Sequence, residues 1–133
     1  MESGSGKVVT ADMLENIENP LALATVTWLP PEQGGRRSGP PSAPVYASTT
    51  TFRTGDAVES EPGWPATDPR TVSVLLQRID PTPQTTELVK VGFLAPELAR
   101  PYLHEGAELV ILEGPKQVAH AVITEVLTED EQA

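Results

Sequence analysis

From Leu21 onward, hydrophobic positions recur every second residue, the spacing of strands whose two faces meet different surroundings. "LALATVTWL" (21 to 29) alternates Leu21, Leu23, Thr25, Thr27 and Leu29 with Ala22, Ala24, Val26 and Trp28, and neither set is charged. "VYASTTTF" (45 to 52) is β-branched and aromatic. "TVSVLLQRI" (71 to 79) puts Val72, Val74 and Leu76 on one face, and "TELVKVGFL" (86 to 94) sets Val89, Val91 and Phe93 against Leu88, Lys90 and Gly92. "AELVILE" (107 to 113) and "QVAHAVITEVL" (117 to 127) complete six predicted strands. Only "EGPK" (113 to 116) separates the last two, which predicts an antiparallel hairpin. Six short strands with no long helix between them imply an all-β closed barrel or compact sandwich.

Two segments read as short helices. In "TADMLENIENP" (10 to 20), Thr10 or Asp12 can cap a helix around 12 to 18, Leu14 and Ile17 share a side, and Pro20 stops it. A second is expected around 96 to 104, with Pro96 in the first turn and Gly106 past the end. The acidic, proline-rich stretch from 55 to 69 reads as a long loop. The expected organisation is a leader with a possible helix over 1 to 20, a barrel domain over 21 to 127, and an acidic tail over 128 to 133.

Composition sharpens this picture. A chain of 133 residues supports one modest core, and its 14 prolines and 10 glycines suit strands joined by turns. The formal net charge of -10 gives no general attraction for a polyanion, so RNA is disfavoured as a partner. With no cysteine, there is neither a disulfide framework nor a thiolate metal site. No apolar run reaches membrane-spanning length and no signal-peptide stretch is visible, so the expected location is cytoplasmic, without membrane contact.

Candidate chemistry is sparse. "GSGK" (4 to 7) fails as a phosphate-binding loop: Val8 stands where Ser or Thr is needed and no strand precedes it, so no nucleotide is expected. His104 and His120 lack metal-ligand spacing, no nucleophile elbow occurs, and the carboxylate pairs fall in solvated segments. No metal, cofactor or catalysis is expected. Trp28 is read as core or barrel-end packing, and Trp64, between Gly63 and Pro65, as folded back over the barrel.

The loop "PPEQGGRRSGPP" (30 to 41) holds the only doubled basic spot. Gly34 and Gly35 can serve a strand-end turn with the arginines as solubilising surface. Alternatively, Arg36 and Arg37 point outward and dock a carboxylate or phosphate bidentately.

Three motifs in order carry a resemblance. "EQGGRRS" after the first strand, "FRTGDA" (52 to 57) at the end of the second, and "EGPKQVAHAVITEV" (113 to 126) in the last hairpin resemble the third domain of elongation factor Tu. The likeness spans about residues 21 to 127. It implies a six-stranded antiparallel β-barrel and a macromolecular contact face at the glycine–arginine loop. In that family a Gly-Ala-Gly run lies by the T stem of transfer RNA; here Ala119, His120 and Ala121 take its place. The segments 57 to 70 and 95 to 106 are longer than their counterparts, and no GTPase activity is implied.

The expected activity is that of a non-catalytic binding module for a protein or peptide. Its candidate contact residues are Gly34, Gly35, Arg36, Arg37, Arg53, Lys116 and His120. An RNA- or translation-associated factor, a toxin inhibitor or immunity-like protein, and a small hydrolase remain alternatives, and the oligomeric state is left open.

Overall fold

The computed structural model describes residues 16 to 127. Six strands, β1 (Ala22–Trp28), β2 (Val45–Arg53), β3 (Val72–Arg78), β4 (Thr86–Phe93), β5 (Glu108–Glu113) and β6 (Lys116–Val126), form a closed barrel in the order β1-β4-β3-β2-β5-β6. Every neighbouring pair is antiparallel. Each strand lies within a residue of its predicted limits, where alternation or a β-branched and apolar run is bounded by turn residues. The register confirms this: Ala24 lies opposite Val89 on one side and Ile123 on the other, and all three are buried.

The interior is filled mainly by small and β-branched residues, with Trp28, Phe52 and Phe93 as its bulkiest members. Small side chains on β1 and β6, Ala22, Ala24, Ala119 and Ala121, line the same buried space. Larger side chains opposite them can thus fill a narrow barrel without voids.

Between β4 and β5 the chain makes one α-helical turn, α1 (Pro96–Ala99), and a 3-10 turn over Arg100–Tyr102. This matches the helix expected around 96 to 104, though Pro101 splits it. Most of the helix expected around 12 to 18 lies outside the described residues, and Asn16 to Glu18 are not helical. Instead, Ile17 donates its backbone N–H to Gln77 at 2.7 Å and packs on Gly92, where a Cβ would approach its Cγ2 to 2.7 Å. The leader thus begins its contact with the barrel before Leu21.

Two charged residues occupy inward positions. Glu87 is in phase with Val89 and Val91, Arg78 with Val74 and Leu76, and their side chains are 2 % and 6 % exposed. They pair through Arg78 Nε to Glu87 Oε1 at 2.8 Å and Nη2 to Oε2 at 3.0 Å, while Trp28 Nε1 donates to Oε2 at 2.9 Å. A buried pair is stable only when its remaining polar atoms are also satisfied. Here Arg78 spends its other donors on the carbonyls of Ala43 and Pro41. Replacing Glu87 by Ala leaves a buried guanidinium and an indole N–H without their acceptor. Urea denaturation of Glu87→Ala is expected to show a loss of about 3–5 kcal/mol with an unchanged slope. A loss under about 1 kcal/mol would mean that water replaces the carboxylate there.

Candidate functional site

Strand direction sorts the loops onto two ends of the barrel. The 29–44 connection, the 79–85 connection and the Gly114–Pro115 turn share one end; the 54–71 and 94–107 connections share the other.

At the first end, the proline-framed loop folds against the strands. A 3-10 turn over Pro31–Gln33 ends at Gly34, whose φ of +96° is left-handed backbone that a side chain disfavours. Gly35 is required for a different reason: a Cβ there would lie 1.8 Å from the Leu29 carbonyl oxygen. The chain doubles back so closely that the Gly35 N–H bonds the Pro30 carbonyl at 2.9 Å. Leu29 N–H donates to the Val118 carbonyl at 2.9 Å, tying the loop's start to β6.

The two arginines part company. Arg36 turns inward, its Nε 2.7 Å from Glu113 Oε2 and its Nη1 2.6 Å from the Gly39 carbonyl, and its guanidinium lies over the Tyr46 ring. Tyr46 donates its hydroxyl to the same Glu113 oxygen. Burial and the neighbouring carboxylate push the Tyr46 phenol well above its ordinary value, so it remains a donor. Arg37 is exposed in the turn closed by Gly39 N–H to Arg36 O. The expectation that both arginines point outward therefore holds for Arg37 alone. Arg36 is drawn in by a carboxylate on β5, 77 positions away in the chain.

Of the other expected contact residues, Lys116 is exposed and opposite Glu113 across the last hairpin, so it shares this end with Gly34, Gly35, Arg36 and Arg37. Arg53 does not. It faces Glu108 at the opposite end of β5, on the order of 17 Å away at the usual rise per residue. There its guanidinium stacks over Trp64, 4.9 Å from the ring centroid. His120 is exposed midway along the barrel wall, between Thr27 and Val110. The seven residues thus divide among one end, the other end and the side.

The second end is organised by a residue the alternation could not flag. Arg70 donates to Asp68 Oδ2 at 2.7 Å, Glu59 Oε2 at 3.3 Å, Asp56 Oδ2 at 3.1 Å and the Phe52 carbonyl at 2.8 Å. Trp64 Nε1 donates to Asp68 at 2.7 Å, so Trp64 is folded back as expected. Its ring is partly buried, and the Trp64–Pro65 peptide is cis. Burial works to raise the Asp68 pKa, but bonds from the Arg70 side chain and backbone and from Trp64 outweigh it and hold the carboxyl well below its usual range. Burial acts likewise on Glu59, and donors from Thr54, Arg70 and Gly55 again prevail, leaving it lowered. Beside this cluster, Tyr102 stacks on Phe52 at 4.6 Å, and a cleft of about 180 Å³ opens among Arg53, His104 and Glu108.

Among the described residues, no group of three His, Asp or Glu side chains could hold a metal ion, and no helix is long and apolar enough to cross a membrane. No protein-family model matches the chain, and no curated protein matches it significantly.

Two outcomes are expected. Arg36→Ala removes the bonds to Glu113 and to the Gly39 carbonyl and should cost about 1 kcal/mol or somewhat more, since Tyr46 and solvent still serve the half-exposed Glu113, whereas Arg37→Ala should stay within about 0.5 kcal/mol; equal losses would contradict the inward and outward placement. Because the Asp68 and Glu59 carboxyls are lowered in the folded state, their stabilisation is complete above the ordinary carboxylate range. It is lost as pH falls from about 4 through their depressed values. In Arg70→Ala, burial meets weaker opposition because the guanidinium bonds to both carboxylates are lost, so acid unfolding followed by tryptophan fluorescence should begin at a higher pH. An unchanged onset would show that Arg70 does not hold these carboxyls down.

Proposed function

We propose that this chain is a non-catalytic binding module, related in architecture to the third domain of elongation factor Tu, that engages a protein or peptide through the end of the barrel bearing the 29–44 loop. The observation that carries this reading is a preformed surface. The loop is anchored through Leu29, Arg36, Pro41 and Ala43, yet it leaves Arg37 exposed, with Lys116 on the hairpin beside it. A surface already ordered loses little conformational freedom on binding.

Charge distribution supports the choice of end. On this end Glu32, Asp80, Glu87 and Glu113 are matched by Arg36, Arg37, Arg78 and Lys116. On the other, Asp56, Glu59, Glu61, Asp68, Glu97, Glu105 and Glu108 outnumber Arg53, Arg70 and Arg100. An acidic partner approaching such a polarised molecule is steered to the balanced end, where the exposed cations stand. The same polarity disfavours a long nucleic acid, which would have to pass the acidic end. Closure of six antiparallel strands, with the last two joined by the Gly114–Pro115 turn, supports the family likeness.

The test is affinity capture from the host cell followed by competition among variants. The partner should be retained by Arg53→Glu and weakened at least tenfold by the Arg37→Glu/Lys116→Glu double variant, about 1.4 kcal/mol or more. Loss with Arg53→Glu alone would move the contact to the acidic end. Loss on nuclease treatment, with steep salt dependence, would instead make the partner a nucleic acid.

A further inference from the structure

On the outer side of the wall formed by β4, β1 and β6, the register sets side chains in three rows that cross the strands. Lys90 and Glu125 flank Leu23, Leu88 and Val122 flank Thr25, and Thr86 and His120 flank Thr27. The middle row is apolar and open to solvent: Leu88 is 45 % and Val122 37 % exposed. Ile79, whose backbone N–H donates to the Leu88 carbonyl, extends that row at 48 % exposure. In a chain of formal net charge -10, these rows hold one lysine and one glutamate, so with neutral histidine their charges cancel. An exposed apolar strip on a locally neutral wall is where a self-repelling molecule can best meet another surface.

We infer that this wall pairs with the same wall of a second copy of the chain, about a two-fold axis that runs along β1 over Thr25. In a two-fold contact, residue i meets j while j meets i. An axis along β1 exchanges the two sides of that strand, so β4 of each copy lies over β6 of the other. Lys90 then faces Glu125 of the second copy, Leu88 faces Val122, Thr86 faces His120, and each pairing occurs on both sides of the axis. Thr25 meets its own counterpart. An axis laid across the strands would instead set Lys90 over Thr86 and Glu125 over His120, leaving neither charge opposite its complement. The opposite charges therefore select the first arrangement. Face-to-face sheets keep their strands within about 30° of one another, which preserves these pairings close to the axis. At standard spacings the rows span roughly 10 Å across the strands and 14 Å along them. That is less than the total of about 1,200–2,000 Å² buried by a stable complex, so the pair exchanges with monomer. The wall lies between the two ends of the barrel, and the pairing does not depend on which end engages a partner.

Sedimentation velocity of the full chain at low salt, from about 10 micromolar to about 1 millimolar, tests this. The sedimentation coefficient is expected to rise with concentration toward that of a dimer. Lys90→Glu and Glu125→Lys should each weaken association at least about tenfold, because like charges then face each other on both sides of the axis. Glu125→Lys is the sharper of the two: it lowers the net charge, so general relief of self-repulsion would strengthen association instead. Thr25→Lys, whose ammonium would meet its own counterpart on the axis, should abolish the dimer. An equimolar mixture of Lys90→Glu and Glu125→Lys regains opposite charges on both sides and should associate as tightly as the unaltered chain, which also shows that both variants are folded. A chain that stays monomeric at about 1 millimolar, tighter association of Glu125→Lys, a dimer indifferent to Thr25→Lys, or a mixture no tighter than its separate components would overturn the inference.

Discussion

The buried contact of Arg78, Glu87 and Trp28 joins three strands inside one mouth of the barrel, and the geometry of that whole end depends on it. Trp28 continues it by meeting Tyr46 edge-on, with ring centroids 5.1 Å apart at 89°. Tyr46 passes it to Glu113, and Glu113 to Arg36. The resulting line of contacts runs through β3, β4, β1, β2 and β5 before reaching the loop, and Leu29 adds β6 through the Val118 carbonyl. Charges buried this way contribute little net stability over an apolar filling, but each fixes its neighbours in direction and distance. Here the directional gain falls on a loop of prolines and glycines that has no regular structure of its own to hold it.

Function follows from the same economy of fixed groups. Arg78 brings in the loop by the carbonyls of Pro41 and Ala43, Arg36 brings in its middle, and what remains outward is Arg37 with a proline-walled recess. The opposite mouth is closed by another arginine, Arg70, among the carboxylates of Asp56, Glu59 and Asp68. One end thus presents balanced charge and carbon, the other spare carboxylates. A long-range field of that kind orients an approaching partner before any contact is made.

The fold was legible because β1 and β4 alternate, β2 is β-branched and aromatic, β5 is a short apolar run, and turns fall where prolines and glycines cluster. The two mouths were less so, and for a physical reason. Glu87 and Arg78 are in phase with core residues, a signal that charged side chains face inward, but alternation cannot say that they meet each other and Trp28. Arg36 shows the same gap: nothing near it in the sequence indicates a carboxylate on β5. Asp68 and Arg70 are two residues apart in a segment whose composition reads as a solvated loop, yet Asp68 is buried. Arg53 and Lys116 belong to two motifs of the family resemblance, whereas the length of β5 places them at opposite ends.

The proline- and glycine-rich loop is as fixed as the barrel it caps, because the buried Arg78–Glu87 pair, the half-buried Arg36–Glu113 pair and carbonyl contacts hold it. Backbone ¹⁵N relaxation measures this directly. Amides of Gln33 to Gly39 are expected to give order parameters near those of β1 and β5, about 0.85, the range of rigid backbone. Values below about 0.6 across that stretch, with the strands unchanged, would mean that the loop moves freely and that no preformed surface exists at that end.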